Sequence, residues 1–139
     1  MIDLWPHQER SLAMLRNSIS AGHRRPLLKI PTGGGKTRVA AAVIEGARAK
    51  GNRVVFVVDA ISLIDQTVEA FYEVGLTEMG VIQADHIMTD WSRPIQVASV
   101  QTLQRRDMPD ATVAIIDECH VANQWLHKRL AADDWKNKI

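Results

Sequence analysis

Pro31-Thr32-Gly33-Gly34-Gly35-Lys36-Thr37 decides the fold of this 139-residue chain. A short apolar run at 27–30 precedes this stretch, and a helix-forming segment from Arg38 to Lys50 follows it. Glycines lack a Cβ, so the backbone can curl and aim successive N–H groups at an anion. The N-terminus of the next helix adds its unpaired N–H groups and the positive end of its dipole. Strand, glycine-rich turn and helix in this order therefore predict a phosphate-binding loop.

Two side chains of the loop carry most of the expected chemistry. Lys36 would reach the β- and γ-phosphates of a nucleoside triphosphate, and the hydroxyl of Thr37 would ligate Mg²⁺. A strict version of the motif has glycine where Ile30 stands. The alternative is a glycine-rich turn that binds no ligand. The residues expected to hold the nucleotide are Thr32, Gly33, Gly34, Gly35, Lys36 and Thr37.

A second chemical centre follows the apolar strand predicted at 112–116. Asp117 and Glu118 come directly after it, and acids in this position sit at the open end of a strand, where they meet a metal or a base. Asp117 is placed to hold hydrated Mg²⁺, and Glu118 to act as general base toward water. The alternative is a pair of acids that cap the next helix. Zinc binding by Cys119 and His120 would need two further ligands at suitable spacing, and no such pattern is present.

Bulk properties are those of one folded domain. The chain is 46% hydrophobic and 24% charged, which argues against disorder. A net charge of +1 neither supports nor excludes nucleic acid as a partner. The single cysteine fits a reducing compartment, and the sequence shows neither an 18-residue apolar run nor a secretory signal. We therefore expect a cytoplasmic protein.

Hydrophobic periodicity predicts alternating strands and helices. Such alternation indicates an α/β fold of the P-loop NTPase type, with a parallel sheet covered by helices on both faces. Ser62 is the expected N-cap of the third helix. The glycine loop and Asp117 both lie at carboxyl ends of strands, where ligands bind in such sheets. The predicted helices are 6–20, 38–50, 62–74 and a last one from about 123, and the predicted strands are 27–30, 53–58, 79–83, 95–99 and 112–116.

Together, Pro-Thr-Gly-Gly-Gly-Lys-Thr and Asp-Glu-Cys-His resemble the ATP-binding core of superfamily-two helicases, the DEAD/DEAH-like group. Leu4-Trp5-Pro6-His7-Gln8 is similar to the opening motif of members related to restriction-enzyme translocating subunits and DNA-repair helicases. In those members the glutamine hydrogen-bonds adenine, which implies this role for Gln8. They usually have Arg-Pro-Tyr-Gln, so Trp5 and His7 are departures. A solvated polar residue in a first helical turn is the alternative for Gln8.

Two further stretches resemble nucleic-acid-binding motifs of that family. The segment 58–67 is similar to a motif that touches the backbone near the start of its helix, which implies contacts by Ser62 and Gln66. The segment 98–103 resembles a later backbone-binding motif, with Thr102 as the implied phosphate contact. Arg105 and Arg106 follow and could add electrostatic attraction. Simple helix capping by Ser62 and a solvated basic face are the alternatives.

The resemblance also shows what this sequence lacks. The family's Ser-Ala-Thr strand does not occur before Ile139, and neither does a second RecA-like domain with its arginines. We therefore expect residues 1–139 to be part of a first RecA-like domain, incomplete at the C-terminus. The tail would then be an unfinished helix that leaves Trp125 and Trp135 without their normal cover.

The resemblance implies the nucleotide-binding part of an ATP-dependent helicase or translocase, with ATP and Mg²⁺ as cofactors. DNA is favoured over RNA as its partner, and a second RecA-like domain is expected in cis or in trans. Alone, the chain would bind ATP weakly and turn it over slowly or not at all. A small kinase or GTPase is an alternative. The Asp-Glu pair on a late strand favours water as the nucleophile over transfer to a substrate, and the Asn-Lys-x-Asp that a GTPase would need is not present. A non-enzymatic nucleotide-binding or docking module derived from a broken helicase is another.

Overall fold

A computed structural model of the chain describes residues 2–30, 35–82, 89–106, 108–117, 124–132, 135 and 138–139. Within these residues four strands form one parallel sheet in the order β2-β3-β1-β4. The strands are β1 (Val54–Val58), β2 (Met79–Ile82), β3 (Ile95–Ser99) and β4 (Val113–Ile116). The helices are α1 (Pro6–Ser20), α2 (Lys36–Ala49), α3 (Ile64–Glu73), α4 (Val100–Leu103) and α5 (Gln124–Ala131), with a 3-10 turn at Ile61–Leu63.

Helices cover both faces of the sheet, as the alternating pattern predicted. One face packs against α2 and α3, and its core includes Ile44 and Phe71. The ring centroids of Phe71 and Phe56 lie 5.0 Å apart in an edge-to-face arrangement. The other face packs against α4 and α5, through Leu103 and Leu126. Every residue of β1 is buried because this central strand has apolar layers on both sides. The helix α1 packs on α2 and so forms an outer layer.

Most element boundaries agree with the sequence predictions within one or two residues. The helix α1 occupies Pro6–Ser20, with Pro6 in its first turn and Gly22 after its end in a left-handed conformation (φ 99°). The helix α4 was not predicted, because four residues are too few for a periodic pattern. No described helix is long and apolar enough to cross a bilayer.

The strand predicted at 27–30 is wrong. These described residues pair with no strand, and Leu27 is 75% exposed. The outer edge of β4 is instead met by Ile139, whose N–H donates to the Thr112 carbonyl (3.1 Å) and whose carbonyl accepts from the Ala114 N–H (2.8 Å). An apolar run becomes a strand only when a neighbouring strand forms backbone hydrogen bonds with it. Among the described residues, no strand pairs with residues 27–30.

Ser62 is not a helix N-cap. It lies exposed within the 3-10 turn, Leu63 occupies the cap position of α3, and neither helical segment has a side-chain cap there. The 3-10 turn replaces the cap because its tighter hydrogen bonds satisfy backbone groups at the entrance to the helix.

The expectation that Trp135 lacks cover is also wrong. Trp135 is 1% exposed and packs in the same apolar layer as α4 and α5, and Lys138 Nζ lies 4.5 Å from the centre of its ring. Trp125 is partly buried against this layer. The guanidinium of Arg25 donates to the carbonyls of Lys138 (2.6 Å), Trp135 (3.0 Å) and Leu130 (3.1 Å). Burial of the indole and the Arg25 contacts together hold the tail on the sheet.

Candidate nucleotide-binding site

The N-terminus of α2 lies at the carboxyl-terminal edge of the sheet. Gly35 is its N-cap and has φ 74° and ψ 42°, a left-handed conformation that glycine adopts without the steric cost of a Cβ. Its carbonyl accepts from the N–H groups of Arg38 (3.1 Å) and Val39 (3.3 Å), which begin the helical ladder. The earlier N–H groups of the first turn have no partner within the helix, and such helix ends commonly bind anions.

Lys36 and Asp117 meet at this edge. The Nζ of Lys36 lies 3.1 Å from Oδ1 of Asp117, although the two residues are far apart in sequence. Lys36 is the first residue of α2, and Asp117 directly follows β4, where its N–H donates to the Val57 carbonyl (2.9 Å). The side chains are 50% and 26% exposed, so both charges remain hydrated. At such an open edge, an ammonium group can exchange its carboxylate partner for a phosphate. The carboxylate can likewise exchange the ammonium for a metal ion.

Thr37 stands beside Lys36 in the first turn of α2 and is half-buried. Its side chain makes no hydrogen bond within the part of the chain that the structure describes. A hydroxyl in this position can act as a metal ligand or accept a hydrogen bond. The predicted site residues Thr32, Gly33, Gly34 and Glu118 lie outside the described residues.

Gln8 is buried against the glycine that begins α2. It is 1% exposed, its Oε1 accepts from the Trp5 N–H (2.9 Å), and a Cβ added to Gly35 would collide with its Nε2. The sequence did not predict that Gln8 bonds to Trp5 or packs on Gly35, since a polar residue in a first helical turn is usually solvated. Gly35 thus has two reasons to be glycine: its positive φ and the side-chain amide of Gln8 beside it.

Arg38 is a residue of this site that the sequence analysis missed. Its Nη2 and Nε donate to the carbonyl of Asp3 at 2.8 and 3.2 Å, which ties the segment before α1 to the first turn of α2. A side chain-to-backbone contact of this kind leaves no pattern in a single sequence. With the Gln8 contact, it fixes the start of α1 beside Gly35 and the first turn of α2.

The residues suggested as nucleic-acid contacts follow β1 and β3, which are neighbours in the sheet. Ser62 and Gln66 are exposed after the carboxyl end of β1. Thr102 is buried in α4, where its N–H donates to Ser99 Oγ (3.2 Å) and its Oγ1 accepts from the same hydroxyl (3.0 Å). All three therefore lie toward the same edge of the sheet as Lys36, and their role stays a prediction.

Comparisons with known proteins identify the fold and the family of the chain. The chain superposes on the UvsW helicase from bacteriophage T4 with a TM-score of 0.73 and 18% identity, over 88% of this chain and 45% of that one. It superposes on a nuclease-deletion mutant of the type ISP restriction-modification enzyme LlaGI, solved with a DNA substrate mimic, with a TM-score of 0.68 and 16% identity. That match covers 99% of this chain and 16% of LlaGI.

At these identities the two structures establish the fold, which is RecA-like, and this chain spans less than half of either protein. A search of curated protein sequences found no match. A family model of the type III restriction enzyme res subunit matches residues 1–138, which is nearly the whole chain. The chain therefore belongs to the type III restriction enzyme res subunit family, and it shares the RecA-like fold of these two solved structures.

Proposed function

We propose that the chain binds Mg-ATP at the N-terminus of α2 and is the nucleotide-binding part of an ATP-dependent translocase or helicase. The observation that carries the proposal is the 3.1 Å approach of Lys36 Nζ to Asp117 Oδ1. It joins the two kinds of group that a metal–triphosphate needs, a cation for phosphate oxygens and a carboxylate for the metal. Family membership supports the same reading.

The side chains present fit this ligand. Lys36 would leave the carboxylate and bind the β- and γ-phosphates, and its half-exposed position leaves room for that movement. Asp117 and the hydroxyl of Thr37 would hold the metal, since both are oxygen donors beside the same helix end. When bound, Mg²⁺ supplies charge neutralisation along the phosphates. Glu118 would orient the attacking water as general base.

Gln8 would take the adenine. Its buried amide beside Gly35 offers a donor and an acceptor, the pair needed to read the edge of adenine. In the described structure its Oε1 accepts from the Trp5 N–H, so adenine binding would replace hydrogen bonds that the amide already makes. Base selectivity then depends on one side chain that is already held in place.

Nucleic acid would bind across the ends of β1 and β3, at Ser62, Gln66 and Thr102. We favour DNA over RNA because a LlaGI variant of the same fold was solved with a DNA substrate mimic and because the family is named for restriction enzymes. A second RecA-like domain, in cis or in trans, would supply arginines to the bound nucleotide. Such an arginine is worth about 10³–10⁵ in rate, so we expect slow turnover by the chain alone.

The test is ATP binding and turnover, with and without single-stranded DNA, for the wild-type chain, Lys36→Ala and Glu118→Gln. We expect Lys36→Ala to lose ATP binding, because the cation that pairs with the triphosphate is gone. Glu118→Gln should keep binding and lose turnover. Failure of the wild-type chain to bind Mg-ATP would refute the proposal. Binding with no turnover under any condition would favour a nucleotide-binding or docking module.

A further inference from the structure

A groove lies at the amino-terminal edge of the sheet, opposite the edge that carries Lys36 and Asp117. Its volume is about 590 Å³, and it is widely open to solvent. The connections that enter β3 and β4 form its walls, so it is separate from the nucleotide site. Its lining residues are Trp91, Arg105, Arg106, Met108, Pro109 and Asp110.

Arg53, which directly precedes β1, fixes the walls of this groove. Its guanidinium donates to the carbonyls of Asp110 (2.8 Å), Arg93 (3.0 Å) and Trp91 (3.3 Å). One side chain thus ties together the connections before β3 and β4. These bonds use only main-chain carbonyls, so the side chains of Trp91 and Asp110 remain available to a ligand. Arg53 therefore sets the distance between the two walls of the groove before a ligand binds.

The groove presents positive charge beside an aromatic ring. Arg105 and Arg106 are both exposed, and their side chains make no hydrogen bond or ion pair within the residues that the structure describes. Trp91 is 40% exposed. Asp110 is the one carboxylate among the lining residues that the structure describes. The nearby Asp90 already accepts from Ser92 and pairs with Arg93 at 3.4 Å, so it does not neutralise the two lining arginines.

We propose that this groove binds single-stranded nucleic acid, with a base stacked on Trp91 and phosphates paired with Arg105 and Arg106. Indole faces stack on any base, and guanidinium groups bind phosphate through paired hydrogen bonds. Asp110 can accept from an N–H group of the stacked base, such as the N3–H of thymine. This site is distinct from the contacts proposed at the opposite edge and needs no nucleotide.

The test is binding of a fluorescein-labelled 15-nucleotide oligo(dT) to the full chain, measured by anisotropy between 50 and 200 mM NaCl without ATP. Trp91→Ala should weaken binding about 5–100-fold, because the stacking of one base is removed. The double variant Arg105→Gln/Arg106→Gln should make the negative slope of log K against log salt shallower by about 1.4. This is roughly 0.7 for each phosphate that is no longer neutralised. Trp91→Phe keeps a ring and should retain most of the affinity.

The matched control removes two exposed arginines from α1, as Arg10→Gln with Arg16→Gln, on the other face of the sheet. It should leave the salt slope within about 0.3 of wild type, since these arginines neutralise no phosphate of the bound strand. The proposal is overturned if wild type does not bind the strand, if the groove variants bind as wild type, or if the α1 control weakens binding as much.

Discussion

Replacement of Gly35 by alanine tests how the nucleotide site is built. Gly35 has φ 74°, and an added Cβ would collide with the Nε2 of the buried Gln8. The left-handed conformation costs an alanine about 1–2 kcal/mol. Displacing Gln8 also breaks its hydrogen bond with the Trp5 N–H, which adds about 0.5–1.5 kcal/mol. We therefore expect Gly35→Ala to lower the free energy of unfolding by about 1.5–3.5 kcal/mol.

Gly51 provides the matched control at the other end of α2. It has φ 80°, but no atom lies within 4 Å of the position of its added Cβ. Gly51→Ala should therefore lower the free energy of unfolding only by the cost of the left-handed conformation, about 1–2 kcal/mol. Urea unfolding followed by circular dichroism measures both variants. In a Gln8→Ala background the cost of Gly35→Ala should fall to that of Gly51→Ala. An equal cost in both backgrounds would refute the contact between Gly35 and Gln8.

Three other predictions concern the fold around the site. Phe71→Ala should lower the free energy of unfolding by about 3–5 kcal/mol, because Phe71 is fully buried, whereas Tyr72→Ala beside it should cost less than about 1 kcal/mol; urea titration checks both. Arg25→Lys should speed hydrogen exchange of the Ala114 amide, which donates to Ile139, because the guanidinium that holds the tail is gone; unchanged exchange would contradict this. The hydrogen bonds from Ser92 lower the pKa of Asp90 below its ordinary value of 3.8, so the Asp90 carboxylate stabilises the fold above that pH and this stabilisation is lost as pH falls through the lowered pKa. Asp90→Asn should therefore make the free energy of unfolding depend less on pH in this range. An unchanged acid unfolding profile would refute this prediction.

The parallel sheet could be predicted because its strands are apolar enough to need cover on both faces. The run 54–58 is continuous and apolar, and such a run has few alternatives to a central strand. The meeting of Lys36 and Asp117 followed from one rule, that carboxyl ends of parallel strands share an edge. The roles of Lys36, Asp117 and the loop glycines remain predictions.

Three of the differences between the sequence predictions and the structure depend on partners distant in sequence. Residues 27–30 have the composition of a strand, but Ile139 meets the edge of β4 that the described residues present. Trp135 is buried because the tail folds back on the sheet and Arg25 holds it there. Gln8 is buried because the loop glycine packs on it. Composition and periodicity report none of these tertiary contacts.

The central claim is that Lys36 and Asp117 act on one metal–triphosphate cluster. A double-mutant cycle of Lys36→Met and Asp117→Asn, with Mg-ATP affinity measured by titration calorimetry, tests it most directly. We predict that the two losses of affinity are non-additive by at least about 1 kcal/mol, as is usual for groups in one network. With EDTA present, Asp117→Asn should no longer weaken ATP binding, while Lys36→Met still should. Additive losses that are the same with and without Mg²⁺ would contradict the account.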